Sequence, residues 1–147
     1  MSDLGDLYQE IILEHSKQPR NFRKMETPNR QAEGYNPLCG DHYTVFLDVN
    51  DGTIRDISFQ GSGCAISKAS ASMMSQAVKS KTTEQAEEIF NQFHSVVTGA
   101  AGGEKENIGK LAVFAGVASF PTRIKCATLA WHTLHAALHG EQSTSTE

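Results

Sequence analysis

The stretch YTVFLDVNDGTIRDISFQ, residues 43–60, decides the fold. Its first half alternates apolar and mostly polar residues, which is the period of a half-buried strand. An Asn-Asp-Gly sequence follows at 50–52 and is typical of a tight hairpin turn. The second half alternates again, with Ile57 and Phe59 on one face. The stretch therefore predicts two antiparallel strands joined by a short turn.

Helical patterns flank this hairpin on both sides. Apolar residues recur at three- and four-residue spacing from about Leu4 to Lys17, which predicts an amphipathic helix. Thr82 and Gln85 form the sequence signature of a capping box at a later helix start. Helices are expected at about 65–79, 83–97, 108–117 and 121–139, and flexible or long connections at 18–37 and 98–107.

Strands thus come early and helices follow, which predicts an α+β fold. We expect a small antiparallel β-sheet of about three strands packed against several α-helices. The length of 147 residues suits one domain, 1–147, with 1–3 and 140–147 as disordered tails. Trp131 and Phe120 are expected in its core.

Composition excludes several functional classes. With 39% hydrophobic residues and only 20% charged ones, the chain is expected to fold into a globule. A net charge of −4 disfavours nucleic acid as a partner. No apolar run is long enough to span a membrane, and the opening MSDLGDLYQE lacks the basic stretch of a signal peptide. We therefore expect a cytoplasmic protein.

The three cysteines are the residues that suggest chemistry. Cys39, Cys64 and Cys126 cannot all pair within one chain, so they are free thiols, buried apolar residues or metal ligands. Each lies at a junction between predicted elements, where the loops of a sheet edge converge. Their spacing contains no CxxC pair, so the pattern alone does not identify a metal.

The surroundings of the first two cysteines favour a thiolate or a ligand. Cys64 follows a Gly-Ser-Gly turn ending at Gly63 and starts a helix, where unpaired N–H groups lower a thiol pKa. Asp41 lies two residues after Cys39, so both side chains face the same way in an extended segment. Gly40 between them leaves room for a ligand.

The third cysteine completes a possible ligand set. Arg123 and Lys125 flank Cys126 and can offset negative charge. Three thiolates and the Asp41 carboxylate make four donors, which suit zinc, while iron–sulfur clusters also prefer thiolates.

Histidines offer a second, separate set of donors. His135 and His139 are four residues apart on the last helix and could form a zinc pair. Solvated histidines at the favourable end of a helix dipole are the expected alternative. His42 adjoins Asp41, but strand alternation should turn its side chain away from Cys39 and Asp41.

Four motifs together resemble the U-type proteins of iron–sulfur cluster assembly, whose branches are IscU, SufU and the N-terminal domain of NifU. The resemblance covers about residues 4–138. The matching segments are LYQEIILEHSKQPRN at 7–21, NPLCGD at 36–41, GSGCAISKASASMM at 61–74 and RIKCATLAW at 123–131.

This resemblance implies a zinc-binding sulfur acceptor with a SufE/NifU-like fold. Cys39, Asp41, Cys64 and Cys126 correspond to the family's metal ligands, with Gly40, Gly63, Arg123 and Lys125 in support. A cysteine desulfurase of the SufS type would supply persulfide sulfur, and Cys39 is the expected acceptor because it lies on a loop beside the weak ligand Asp41. Such a protein is a sulfurtransferase-like carrier that passes sulfur to downstream SUF assembly proteins, rather than a free-standing enzyme.

Two features point to the SufU branch. Lys125 precedes the third cysteine, where the IscU branch has a histidine, and 62 positions separate Cys64 from Cys126. A scaffold that holds iron or a transient [2Fe–2S] or [4Fe–4S] cluster on the same ligands is the alternative within the family. A structural zinc module is the alternative of another class.

Overall fold

The computed structural model describes residues 3–99 and 105–145 and has an α+β fold built on the predicted hairpin. The helices are α1 (Asp3–Lys17), α2 (Ala65–Val78), α3 (Thr83–Thr98) and α4 (Pro121–Leu138). The strands are β1 (Arg30–Asn36), β2 (Asp41–Asn50), β3 (Thr53–Ser62) and β4 (Ser143–Ser145), and a 3₁₀ segment covers Lys105–Ser119.

The hairpin prediction is confirmed, and its turn has the expected chemistry. Asp51 and Gly52 both have positive φ, 53° and 76°, and join β2 to β3. The capping box is also present, because Thr82 and Gln85 satisfy each other's backbone N–H groups at the start of α3.

The sheet is larger than expected and is mixed. Its order is β3-β2-β1-β4; β1 and β3 pair antiparallel with β2, whereas β4 runs parallel to β1. The prediction of about three antiparallel strands was therefore wrong in strand number and in the direction of one edge strand.

Strand β1 lies inside the segment that the sequence predicted to be a connection. Its buried residues are small or polar, Ala32, Gly34 and Asn36, so the alternation carries no large apolar signal. The small size has a packing reason, because a Cβ on Gly34 would collide with the Thr133 hydroxyl and lie 3.2 Å from Leu129 Cδ1. Helix α4 packs against β1 through this close approach.

Strand β4 belongs to the tail that was expected to be disordered. Ser143–Ser145 pairs with residues 33–35 of β1, and Glu33 N–H donates to Gln142 O over 2.9 Å. Three polar residues carry no periodic apolar signal, although the segment pairs with β1 and also contacts α4.

Helices α2 and α4 pack against the sheet and position two of the cysteines, Cys64 and Cys126. Trp131 of α4 is fully buried and stacks on Phe93 of α3, with ring centroids 4.6 Å apart. Its indole N–H donates to Ser70 Oγ of α2, which links the two helices. Phe120, expected in the core, is instead 48% exposed, because it precedes α4 and its ring lies under the Arg123 guanidinium.

The predicted loop at 98–107 is only partly covered, because residues 100–104 lie outside the described residues. The chain is described again from Lys105, where the 3₁₀ segment begins. Gly109 interrupts that segment with a φ of 57°. The short helix expected at about 108–117 is therefore part of a longer, kinked 3₁₀ segment.

Candidate metal centre

Three chain junctions meet at one edge of the sheet. Asn36 at the end of β1 pairs with Asp41 at the start of β2, and His42 pairs with Ser62 at the end of β3. The hairpin geometry therefore brings the segments that carry Cys39 and Cys64 to the same sheet edge. The start of α4, which carries Cys126, reaches this edge because α4 packs on β1 and β2.

Cys39 lies on the tight turn between β1 and β2. Cys39 N–H and Gly40 N–H both donate to Asn36 O, over 3.2 and 2.9 Å. Gly40 has a φ of 75°, a conformation that costs glycine little and other residues more. Cys39 is exposed at the tip of this turn, beside Leu38, which is 64% exposed.

Cys64 occupies the N-cap of α2. Its Sγ accepts from Ser67 N–H over 3.4 Å, the role that serine, threonine, asparagine or aspartate usually fills. Its own N–H donates to Asp41 Oδ1 over 3.0 Å, so the backbone of one predicted ligand holds the carboxylate of another. Cys64 is exposed, like Cys39.

Cys126 is the buried cysteine of the set. It lies in the second turn of α4, and its Sγ is 3.5 Å from Cys39 Sγ. The side-chain amide of Asn36 also donates to this sulfur, with Nδ2 3.7 Å away. Cys126 therefore anchors the site from the interior, while Cys39 and Cys64 are open to solvent.

The thiols of Cys64 and Cys126 have pKa values that are shifted in opposite directions. A hydrogen bond from Cys126 is the largest influence on the pKa of Cys64; together with the Ser67 N–H, it outweighs burial and lowers that pKa to about 6. The pKa of Cys126 is raised by the same hydrogen bond, by burial and by its interaction with Cys39. Cys64 is therefore the thiolate of this pair at neutral pH.

Asn36 is a site residue to which sequence reasoning assigned no role. Its Nδ2 donates to Asp41 Oδ2 over 3.1 Å as well as to Cys126, and the residue is 1% exposed. Its Oδ1 is buried and has no hydrogen-bond partner among the described residues. The motif NPLCGD contains this residue, but only the fold shows that its amide joins a carboxylate to a thiol 90 positions away.

Gly63 is required by the crowding behind Asp41. A Cβ there would lie 2.6 Å from Asp41 Oδ1 and 2.7 Å from Tyr43 OH, and would also overlap the Ser67 hydroxyl. Tyr43 OH and Ser67 Oγ are themselves hydrogen-bonded at 3.0 Å. Burial raises the pKa of Tyr43, so its hydroxyl stays protonated beside the site.

The two predicted cations have different surroundings. The Arg123 guanidinium lies 4.5 Å from the centre of the Phe120 ring. Lys125 lines a small surface cavity together with Asn36, Pro37 and Leu38. His42 points away from the thiols, as expected, because its ring stacks on Tyr35 and its Nε2 lies 3.1 Å from Glu33 Oε1.

The donor atoms fit a metal ion. Donor atoms of Cys39, Asp41 and Cys126 all lie within 4.8 Å of one another. Two sulfurs on a tetrahedral zinc would be about 3.8 Å apart, given zinc–sulfur bonds of about 2.3 Å. The Cys39–Cys126 separation of 3.5 Å is close to that spacing. Cys64 is not in this trio, but its sulfur contacts Cys126 and its N–H contacts Asp41.

None of the helices within residues 3–99 and 105–145 has the length and apolar character needed to cross a membrane.

Relatives of known name match nearly the whole chain. The chain is 38% identical to the iron–sulfur cluster assembly scaffold protein IscU of Streptococcus pyogenes serotype M1, over 94% of this chain and 86% of that one. It is 36% identical to the zinc-dependent sulfurtransferase SufU of Bacillus subtilis strain 168, over 96% and 95% of the two chains.

A solved structure confirms the fold. It belongs to a candidate iron–sulfur cluster assembly scaffold protein for the SUF system from Fervidobacterium islandicum AW-1. The two structures superpose with a TM-score of 0.84 and 33% identity, covering 88% of this chain and 94% of the other. The model of the NifU-like N-terminal domain family matches residues 7–140, and this protein is a member of that family.

Proposed function

We propose that the protein is a zinc-binding sulfur acceptor of iron–sulfur cluster assembly, which takes persulfide sulfur from a cysteine desulfurase. The observation that carries the proposal is the position of Cys39. Its sulfur lies among the other donors, 3.5 Å from Cys126, yet the residue is exposed at the tip of a turn. A relative named as a zinc-dependent sulfurtransferase, similar over nearly its full length, supports this function.

Four side chains of this chain would hold the ion: Cys39, Asp41, Cys64 and Cys126. Zinc, when bound, keeps cysteine sulfurs deprotonated and shielded. Asn36 orients Asp41 and Cys126, while Gly63 leaves the space that the carboxylate occupies. Lys125, which lines a cavity with Asn36 and Leu38, moderates the negative charge of three thiolates and one carboxylate, and Arg123 in the first turn of α4 adds a second positive charge.

The sulfur transfer needs no external oxidant or reductant. The Cys39 thiolate attacks the terminal sulfur of the persulfide on the desulfurase cysteine. A sulfur–sulfur bond forms to Cys39 as the original one breaks, and the desulfurase cysteine leaves as a thiolate. Exposure of Cys39 and of its neighbour Leu38 gives a partner access to this turn, while buried Cys126 keeps the rest of the set in place.

Mass spectrometry of the intact protein tests the acceptor. After incubation with a cysteine desulfurase and cysteine, the wild-type protein should gain the mass of one sulfur atom, mapped to Cys39. The Cys39→Ser variant should gain no sulfur. The Cys64→Ser variant is the comparison, because it also lacks one cysteine of the set but keeps Cys39. A full adduct on Cys39→Ser would exclude Cys39 as the acceptor.

A scaffold for a transient cluster is the second candidate. Three thiols at one sheet edge, two of them exposed, offer the ligands that iron–sulfur clusters prefer. A 38% identical relative is named as a scaffold protein. Metal and sulfide analysis, together with an absorption spectrum, distinguishes the sulfur acceptor from the scaffold. A colourless protein that contains zinc indicates the sulfur acceptor, whereas a brown sample that contains iron and sulfide indicates the scaffold.

A purely structural role for zinc predicts different results from those expected of a sulfur acceptor or a cluster scaffold. Removal of the metal by a chelator would then unfold the domain, and the protein would not stimulate a desulfurase. The sulfur-acceptor function predicts that alanine formation by the desulfurase increases when the protein is added. It also predicts that the metal-free domain, whose core is built on the sheet and α4, still melts cooperatively.

A further inference from the structure

A second group of metal-binding side chains lies away from the thiols, between α3 and α4. The chain contains six histidines, and four of them lie on this face, three of them around Phe90. His94, His132 and His135 have ring contacts with Phe90, and His139 lies beside His135.

A glutamate from the neighbouring helix faces two of these histidines. Glu87 Oε1 lies 3.0 Å from His135 Nδ1 and 3.4 Å from His139 Nε2. Donor atoms of the three residues all lie within 4.8 Å of one another. The two histidines come from successive turns of α4 and its C-cap, whereas the glutamate comes from α3.

The spacing fits a tetrahedral ion. Ligand atoms held about 2.0–2.1 Å from zinc are separated by about 3.3 Å. The two separations of 3.0 and 3.4 Å bracket that value, and both converge on the same oxygen of Glu87. A pair of histidines four residues apart on a helix is a known way to present two nitrogens to one zinc ion.

The side chains are also held in place. The His135 ring stacks on Phe90, with centroids 5.3 Å apart and planes 25° from parallel, and lies 4.3 Å from the His139 ring. The end of α4 that carries His139 is fixed by Arg30, whose Nη1 donates to Leu138 O over 2.7 Å. Little reorganisation is therefore needed to gather the three ligands.

We propose that Glu87, His135 and His139 form a second site for a divalent cation that prefers imidazole, such as zinc, with solvent completing the coordination. The ligand side chains are 30%, 40% and 53% exposed, so an ion can enter directly from water. The site is distinct from the thiol site, because His135 lies nine positions after Cys126 on the same helix, about 14 Å along the axis. An ion here clamps α3 to the C-terminal end of α4.

Zinc titration by equilibrium dialysis with metal analysis tests this proposal. The thiol set should take the first equivalent, because thiolates bind zinc more tightly than a glutamate and two imidazoles. The wild-type protein should bind two equivalents at micromolar free zinc. His139→Gln and the isosteric Glu87→Gln should each lose the second equivalent and keep the first.

A matched control exists on the other side of the sheet. His42 is also an exposed histidine with a glutamate partner, Glu33 at 3.1 Å, but it has no second histidine beside it in the described residues. His42→Gln should still bind two equivalents. A single equivalent bound by the wild-type protein and retained by Glu87→Gln and His139→Gln, or two equivalents bound by both variants, would overturn the proposal.

Discussion

Asn36 Nδ2 donates to Asp41 Oδ2 over 3.1 Å, across the last residue pair of the β1–β2 ladder. The same nitrogen also donates to Cys126 Sγ. One buried amide therefore fixes the only oxygen donor of the candidate metal set and its most buried sulfur.

Replacing this amide should weaken metal binding more than it disturbs the fold. Groups that orient metal ligands typically contribute about 10–100-fold to affinity, so we expect a zinc affinity lower by that factor in Asn36→Ala. Competition with a chromophoric chelator measures it. Asn29→Ala is the control, because that amide bonds Asp48 and Val49 beyond the opposite end of β1. Equal affinities for the two variants would contradict the role of Asn36.

Adding one methyl group at Gly63 should displace Asp41. The new Cβ would lie 2.6 Å from Asp41 Oδ1, so the carboxylate must move, and such overpacking costs about 1–3 kcal/mol. Gly63→Ala should therefore bind zinc more weakly and unfold at lower denaturant concentration. Gly116→Ala is the control, since no heavy atom lies within 4 Å of its Cβ position. Wild-type affinity in Gly63→Ala would mean that Asp41 does not bind the metal.

The link between α2 and α4 can be tested through Ser70. Its hydroxyl accepts from Trp131 Nε1 at 3.1 Å and donates to Ala127 O at 2.5 Å, and both residues are buried. Ser70→Ala leaves the indole N–H without a partner, which should cost about 1–3 kcal/mol of unfolding free energy. Urea unfolding followed by circular dichroism measures this cost. In a Trp131→Phe background, Ser70→Ala should lower the free energy of unfolding by less. An equal loss in both backgrounds would exclude the Trp131–Ser70 hydrogen bond as the cause.

Acid should destabilise the fold through His15. Burial, with a contribution from Arg20, lowers the pKa of His15 below its usual 6.5, and its Nδ1 lies 2.7 Å from Ser72 Oγ. The unfolded chain therefore binds more protons at this position, so the stability that His15 contributes is present above about pH 6.5 and is lost as the pH falls.

Urea unfolding of the metal-loaded protein at about pH 7.5 and about pH 5.5 checks this expectation. Wild-type protein should lose more stability between the two values than His15→Gln, since all other titrating groups are shared. The same loss in both proteins would show that His15 does not cause the acid sensitivity.

Much of the fold could be predicted because its signals are local. The hairpin at 43–60 and the Thr82 capping box depend on neighbours in sequence, and both are present. Strand β1 was missed because its buried residues Ala32 and Gly34 are small, and a larger side chain at Gly34 would collide with α4. Strand β4 was missed because its three residues are all polar and carry no periodic apolar signal.

For the candidate sites too, residues marked by local sequence patterns could be predicted, whereas residues whose partners are distant in sequence could not. The cysteine junctions and the family resemblance identified the residues that the fold gathers at one sheet edge. The amide of Asn36 and the carboxylate of Glu87 act on partners 90 and 48 positions away, so no local pattern could assign them. Only the packing of α4 against the sheet and against α3 brings those pairs together.

X-ray absorption at the zinc edge tests the central claim most directly. The sample should be the His135→Gln/His139→Gln variant loaded with one equivalent of zinc, so that the histidine site does not contribute. We predict three sulfur ligands at about 2.3 Å and one oxygen at about 2.0–2.2 Å. A shell made only of nitrogen and oxygen, or one with fewer than three sulfurs, would contradict the claim that Cys39, Asp41, Cys64 and Cys126 share one ion.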